Sequence, residues 1–202
     1  MHWSRKPAAG NRSEVQILSI PLMRYLLVLL LAFAGCTRVI EVERPTANLP
    51  VSLRQENWIG SAGQGSCVFA TCVSLLRWEG QYDLADKIRN ECGNGAGPDT
   101  LDNVLDQYGI QYAEELQGDV RFLEWTVATR RGAGVIVDGG KHCVALVHLD
   151  AEWAVTLDNN HTDSYIWIER EAFLKEWREA GGWAFAFIQG SPAAPLPQRT
   201  SK

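Results

Sequence analysis

The chain is poor in positive charge, with 19 Lys and Arg against 24 Asp and Glu in 202 residues, a formal net charge of −5. Its pI is near 5.4. No stripe of basic residues alternates with aromatics, which excludes a nucleic-acid partner. No internal repeat is present, so solenoids and propellers are excluded. There is no Gly-x-Ser-x-Gly elbow, and Ser61 and Ser66 are therefore not serine nucleophiles. The cysteines lack a zinc framework, because Cys67 and Cys72 lie five apart and Cys143 stands beside a single histidine. No metal and no cofactor is expected.

The chain also lacks a membrane span. The apolar run from Tyr25 to Gly35 is too short, since a helix needs roughly 20 residues to cross a bilayer. Extending it back to Ile17 puts Pro21 and Arg24 in its middle. Arg24, the short apolar run and the small residues before Cys36 form a signal-peptide pattern over residues 1–36. Met23 is a candidate initiator, in which case 1–22 are not translated. Ala34-Gly35-Cys36 resembles the lipobox of bacterial lipoproteins, with Phe33 where that motif usually has Leu. The resemblance implies lipidation of Cys36 and, with Thr37 rather than Asp next, an outer-membrane anchor facing the periplasm. The alternative is an ordinary secretory signal or N-terminal anchor with Cys36 incidental.

What is present suits one packed domain: 46% apolar residues and 8 Trp. Residues 37–54, with Pro45 and Pro50, read as a tether. The tail 191–202 is proline-rich and reads as disordered. The folded domain is expected over 55–190. Helical periodicity runs from Cys67 to Trp78, Tyr82 to Asn90, Thr100 to Tyr108 with Gly109 as stop, Val120 to Arg131, and Arg170 to Ala180. Strands are expected at Ile110–Ala113, Gly134–Asp138, His142–Leu149, Trp153–Asp158, Tyr165–Ile168 and Trp183–Ile188, with a hairpin joining the third and fourth. Helices precede the sheet, which indicates α+β.

Cys67 follows the glycine-rich stretch Gly60–Ser66 and opens the first helix. Free N–H groups and the positive dipole end there favour thiolate over thiol. Cys72 lies about 140° round that helix, among apolar residues, and reads as a core thiol. His142 starts a central strand, from which it can face a helix across a cleft. Alternation turns Cys143 to the opposite face, into the core. Asp158 ends the neighbouring strand, beside the start of His142's strand. Cys67, His142 and Asp158 thus supply a nucleophile, a base and a group to orient the base. Asn159 is an alternative orienter. Gln64 is the candidate oxyanion donor together with the Cys67 backbone N–H. In an exported protein the four cysteines Cys67, Cys72, Cys92 and Cys143 could also form two disulfides.

Gln64-Gly65-Ser66-Cys67, the run His142–Val147 and Val155-Thr156-Leu157-Asp158 resemble the papain-like cysteine peptidase superfamily. Within it the likeness is to the bacteriocin-processing, double-glycine-leader peptidases, and it covers about residues 55–190. It implies N-terminal helices packed on a C-terminal antiparallel sheet, Cys67 as nucleophile, His142 as base then acid, Asp158 as orienter, and a peptide or protein substrate. That superfamily's glutamine usually lies five or six residues before the cysteine. Gln64 lies three before it, which leaves Asn57 or backbone alone as other oxyanion donors. A transglutaminase-like acyl transferase and an inactive binding module are the rival readings of the same residues.

Overall fold

From Cys67 to Leu76 every residue of the first helix is buried, because its apolar positions surround most of its circumference. The computed structural model describes residues 45–59, 65–93 and 95–189. Helix α1 is Cys67–Trp78, α2 Tyr82–Glu91 and α3 Pro98–Gln107. Strand β1 (Tyr112–Glu115), helix α4 (Val120–Ala128) and strands β2 (Ala133–Val137), β3 (His142–Leu149), β4 (Trp153–Leu157) and β5 (Ile166–Glu169) follow. Helix α5 (Arg170–Glu179) and strand β6 (Ala184–Phe187) complete the order. The strands make one antiparallel 6-stranded sheet in the order β1-β6-β2-β3-β4-β5.

The sheet has a core on each face. Val73 and Leu76 of α1, Ile88 of α2 and Leu101 and Leu105 of α3 pack with Cys143, Ala145, Val155 and Phe185 on one side. Leu123 of α4 and Phe173 and Trp177 of α5 pack with Val135, Val144 and Leu146 on the other. Each large apolar side chain so buried contributes about 1.5–3 kcal/mol. The expected hairpin pairs Ala145 with Leu157 and Leu149 with Ala154, with a register shift between Leu146 and His148. Helices on an antiparallel sheet make the fold α+β.

Two element ends differ from expectation for the same physical reason. Ile110 was expected to start β1, but its N–H bonds to the Leu105 carbonyl at 2.9 Å and that of Gly109 to Asp106 at 3.1 Å. This Schellman closure consumes Ile110 at the end of α3, and β1 begins at Tyr112. Helix α4 closes in the same way before the expected Arg131: Arg130, at φ +57°, takes the left-handed position, and Arg131 N–H reaches Thr126 at 2.9 Å. Arg131 is thereby delivered to Glu79 just past α1, at 2.8 Å, with both side chains at least nine-tenths buried.

Part of the stretch expected to be tether is docked on the domain. Ala47 N–H bonds to the Val147 carbonyl at 2.9 Å, and Ala47 and Leu49 are buried in the core. Thr46 Oγ1 hydrogen-bonds His148 Nδ1 at 2.7 Å, and Arg54 donates to the carbonyls of Leu49 and Thr162. The alternation of Thr46, Ala47, Asn48 and Leu49 gives this segment one apolar face to bury. Residues 1–36 and 191–202 lie outside the described residues.

Gly134 sits directly opposite Phe185 in the sheet, and its missing side chain leaves room for that ring. A Cβ at 134 would stand 2.1 Å from Phe185 Cζ. Gly134→Ala should cost about 1–3 kcal/mol in urea unfolding. Gly97→Ala, where a Cβ meets nothing within 4 Å, should cost less than this, the weaker N-cap of α3 being its only penalty.

Candidate functional site

Cys67 stands at the first position of α1 and is 9% exposed. The chain before it is fixed by Ser66, whose N–H donates to Asn57 Oδ1 at 3.0 Å and to the Ile59 carbonyl at 3.2 Å. The Ser66 hydroxyl donates to Asn57 Oδ1 and accepts the N–H groups of Trp58 and Ile59 at 2.9 and 3.1 Å. Gly65 allows this fold-back, because a Cβ there would lie 2.9 Å from the Ile59 carbonyl oxygen.

His142, at the start of β3, is brought to Asp158 and stands beside Cys67 in one cleft. Its Nε2 is 2.8 Å from Asp158 Oδ1, which leaves Nδ1 as the nitrogen free to face the thiol. Asp158 is held by the Asn160 N–H at 2.8 Å. The faces of β3 lie the other way round from the expectation. Cys143, not His142, packs beneath α1, in the same core as Cys67 and Cys72. His142 is the last residue of the β2–β3 pairing, opposite Val137, and lines the cleft with Cys67 from that end of the strand. Cys143 remains a core thiol, fully buried.

The other candidates separate. Asn159 does not serve as the orienter: its Nδ2 bonds to the carbonyls of Cys67 and Cys143 at 3.1 and 2.8 Å and to Thr71 Oγ1 at 3.1 Å. Asn57 accepts from Ser66 through Oδ1 and donates one Nδ2 hydrogen to Asn160 Oδ1 at 3.2 Å. Gln64 and Cys36 lie outside the described residues. The Cys67 N–H, in the first turn of α1, has no partner within the helix. None of the four cysteines from Cys67 to Cys143 is bridged. Among the described residues no group of three or more His, Cys, Asp or Glu could hold a metal ion.

Cys67 and His142 line an open cleft with about 130 Å³ of room for water-sized groups. Gly65, Gly95 and Ala96 form its side toward the helices, and Ile136, Gly140 and Lys141 its side toward the sheet. The Gly95 N–H bonds to the Gly65 carbonyl at 3.3 Å, which closes the first wall. The glycines were visible in the sequence as turn residues. Their meeting across 30 positions was not, because it depends on how α1 and α2 pack.

The electrostatics follow from burial opposed by partners. Burial pushes the Cys67 thiol up, but the His142 hydrogen bond, the Cys143 N–H, the His142 charge and the Val68 N–H outweigh it, and the thiol lies below its ordinary value. The hydrogen bonds from Asp158 and then Cys67 overcome burial at His142 and push it up to about 9. Burial also acts on Asp158, yet His142 and the Asn160 N–H hold its carboxyl below the usual range. Cys72 and Cys143 share the core without an imidazole, and burial drives both thiols well up.

The thiols should therefore label in a fixed order. Thiolate is the reacting form, so Cys67 should keep alkylating with iodoacetamide as pH falls below the free-thiol range near 8.5. Cys72 and Cys143 should stay unlabelled there, and Cys92, which burial pushes up, should label only at higher pH. Peptide mapping of the labelled chain against pH checks this. A Cys67 profile no lower than that of Cys92 would contradict it.

No protein-family model matches the sequence, and no curated protein matches it. Two solved structures are similar. One is described as a C39-like peptidase from Bacillus anthracis: it is 14% identical, the match covers 72% of this chain and 97% of that one, and the TM-score is 0.54. The other is a double glycine motif protease from an AMS/PCAT transporter in complex with the leader peptide, 16% identical, covering 66% and 92% of the two chains, with a TM-score of 0.45. The likeness to the first spans nearly the whole of that structure and carries the architecture: this chain has the papain-like fold of C39-like peptidases.

Proposed function

We propose that this protein is a cysteine hydrolase that cleaves peptide or related amide bonds through Cys67, His142 and Asp158. The observation that carries the reading is the His142–Asp158 hydrogen bond at 2.8 Å beside the Cys67 thiol, with thiol and imidazole lining one cleft. A peptidase-like fold around that chain supports it.

In this mechanism the Cys67 thiolate attacks the substrate carbonyl while the imidazolium of His142 waits beside it. The tetrahedral oxyanion is met by the Cys67 backbone N–H, with the Gln64 side chain proposed as second donor. His142 gives its proton to the departing amine, and a thioester to Cys67 remains. Neutral His142 then takes a proton from water, whose oxygen attacks the thioester and releases the acid and Cys67. Asp158 fixes the ring so that Nδ1 faces sulfur throughout, and it stabilises the charge on the ring.

Wild type should hydrolyse members of a fluorogenic peptide library, and Cys67→Ala should lower kcat by at least about 1,000-fold. Undiminished activity in that variant would end the reading. Leaving-group protonation needs the imidazolium, which is lost as pH rises through about 9. Asp158→Asn removes the largest cause of that elevation. The alkaline limb of the rate should then move down toward the ordinary histidine value of about 6.5.

We also propose that residues 1–36 direct export and that Cys36 is the lipidated first residue of the mature protein. The domain would then work at the bacterial outer membrane, facing the periplasm. The support is the sequence Ala34-Gly35-Cys36 behind a short apolar run. Metabolic labelling with a fatty acid should mark wild type and not Cys36→Ala, and equal labelling would refute it.

A further inference from the structure

Asn159 follows Asp158 and is 4% exposed. Its side-chain nitrogen meets three oxygen atoms within 3.1 Å, two of them backbone carbonyls from elements far apart in the sequence. One is the carbonyl of Cys67, in the first turn of α1. Another is the carbonyl of Cys143, one residue after His142. The third, Thr71 Oγ1, spends its own hydrogen on the same Cys143 carbonyl at 3.3 Å. Every neighbour of this nitrogen is therefore an acceptor, and the two hydrogens of the amide are shared among the three, where a carboxylate would offer none.

The opposite end of Cys143 completes the pattern. Its N–H is among the groups that hold the Cys67 thiol down, while its carbonyl is held by Asn159 at 2.8 Å. Asp158 holds the imidazole of His142. Two successive residues thus grip two successive residues of β3, one by its ring and one by its backbone, and the second also grips the helix that carries the thiol. The amide oxygen of Asn159 is buried, and the residue borders a small chamber together with Gln55, Thr71, Ser74 and Thr162. That chamber has about 10 Å³ for the centre of a water-sized group, close to the space one water needs.

We infer that Asn159 is a positioning residue, whose amide ties the Cys67 and Cys143 carbonyls together and so sets the separation of the Cys67 sulfur from the His142 ring. The inference rests on the hydrolase reading and names the part that keeps its two reacting groups in register. Asn159→Leu removes the donors. Asn159→Asp replaces them with a carboxylate facing two carbonyls, and should be at least as damaging. Thr71→Val removes one of the three acceptors and the support of the Cys143 carbonyl, and should act in the same direction more weakly.

The test measures Cys67 alkylation against pH in the full chain, together with kcat and KM on a peptide the wild type cleaves. Asn159→Leu should raise the pH at which Cys67 becomes reactive. It should also lower kcat by about 100-fold, the cost of misplacing a reacting group by roughly 1 Å, with KM changed by no more than about twofold. Gly134→Ala, destabilised inside the sheet, should keep the wild-type alkylation profile, which separates positioning from loss of stability. A folded Asn159→Leu with the wild-type profile overturns the inference, as does an equal shift in Gly134→Ala. If Asn159→Leu does not fold, Thr71→Val decides, and an unmoved profile there overturns it. A wild type whose Cys67 is not activated, or an active Cys67→Ala, would instead sink the hydrolase reading. An activated wild type with an equally activated Asn159→Leu sinks the positioning role alone.

Discussion

The first turn of α1 pressed against the open end of β3 is the contact on which the rest depends. Apolar burial from Cys67 to Leu76 supplies the force but fixes the helix only loosely. Polar groups supply the register: Ser66 is bound to Asn57 before the helix, and Asn159 spans from Cys67 to Cys143 within it. A helix turns about 100° per residue. A slip of one position would therefore keep most of the apolar burial and carry the sulfur away from the imidazole. The buried hydrogen bonds are what make that slip expensive, since each broken one leaves a desolvated donor or acceptor.

The three buried thiols of the α1 core make a comparison within one molecule. Cys67, Cys72 and Cys143 sit in the same apolar cluster. Desolvation acts on all of them in one direction, yet Cys67 alone moves down. The difference is its partners, an imidazole that carries a proton and two backbone N–H groups. Helix position by itself would place no more than a partial charge near the sulfur. The ring is kept protonated in turn by Asp158, so the carboxylate acts on the thiol through the histidine.

Much of this arrangement was legible from period and punctuation. Gly109 marked the end of α3, Gly139-Gly140 marked the turn before β3, and the apolar run from Cys67 identified the helix that carries the thiol. The trio Cys67, His142 and Asp158 followed from one helix start and one hairpin, which are local features. The face of β3 was misjudged because alternation states which residues share a side, and not which helix covers it. Arg130 gave no sign of the left-handed conformation that goes with the burial of Arg131 against Glu79. Asn159 was read as an alternative orienter, and its three acceptors come from parts of the chain that meet only in the tertiary fold. The docking of Ala47 and Leu49 was foreshadowed by their alternation with Thr46 and Asn48, a short signal between two prolines.

The separations along the chain carry a further consequence. Asn159 bonds to a carbonyl 92 positions away, Asn57 to a side chain 103 positions away, and the Thr71 hydroxyl to a carbonyl 72 positions away. Contacts of this kind close the largest loops and form only when the sheet is nearly complete. A chain still being synthesised, or held unfolded, carries at position 67 an ordinary cysteine with an ordinary thiol. Chemical activation of that sulfur is thus tied to completion of the fold, and the reactive form exists only in a molecule compact enough to resist it.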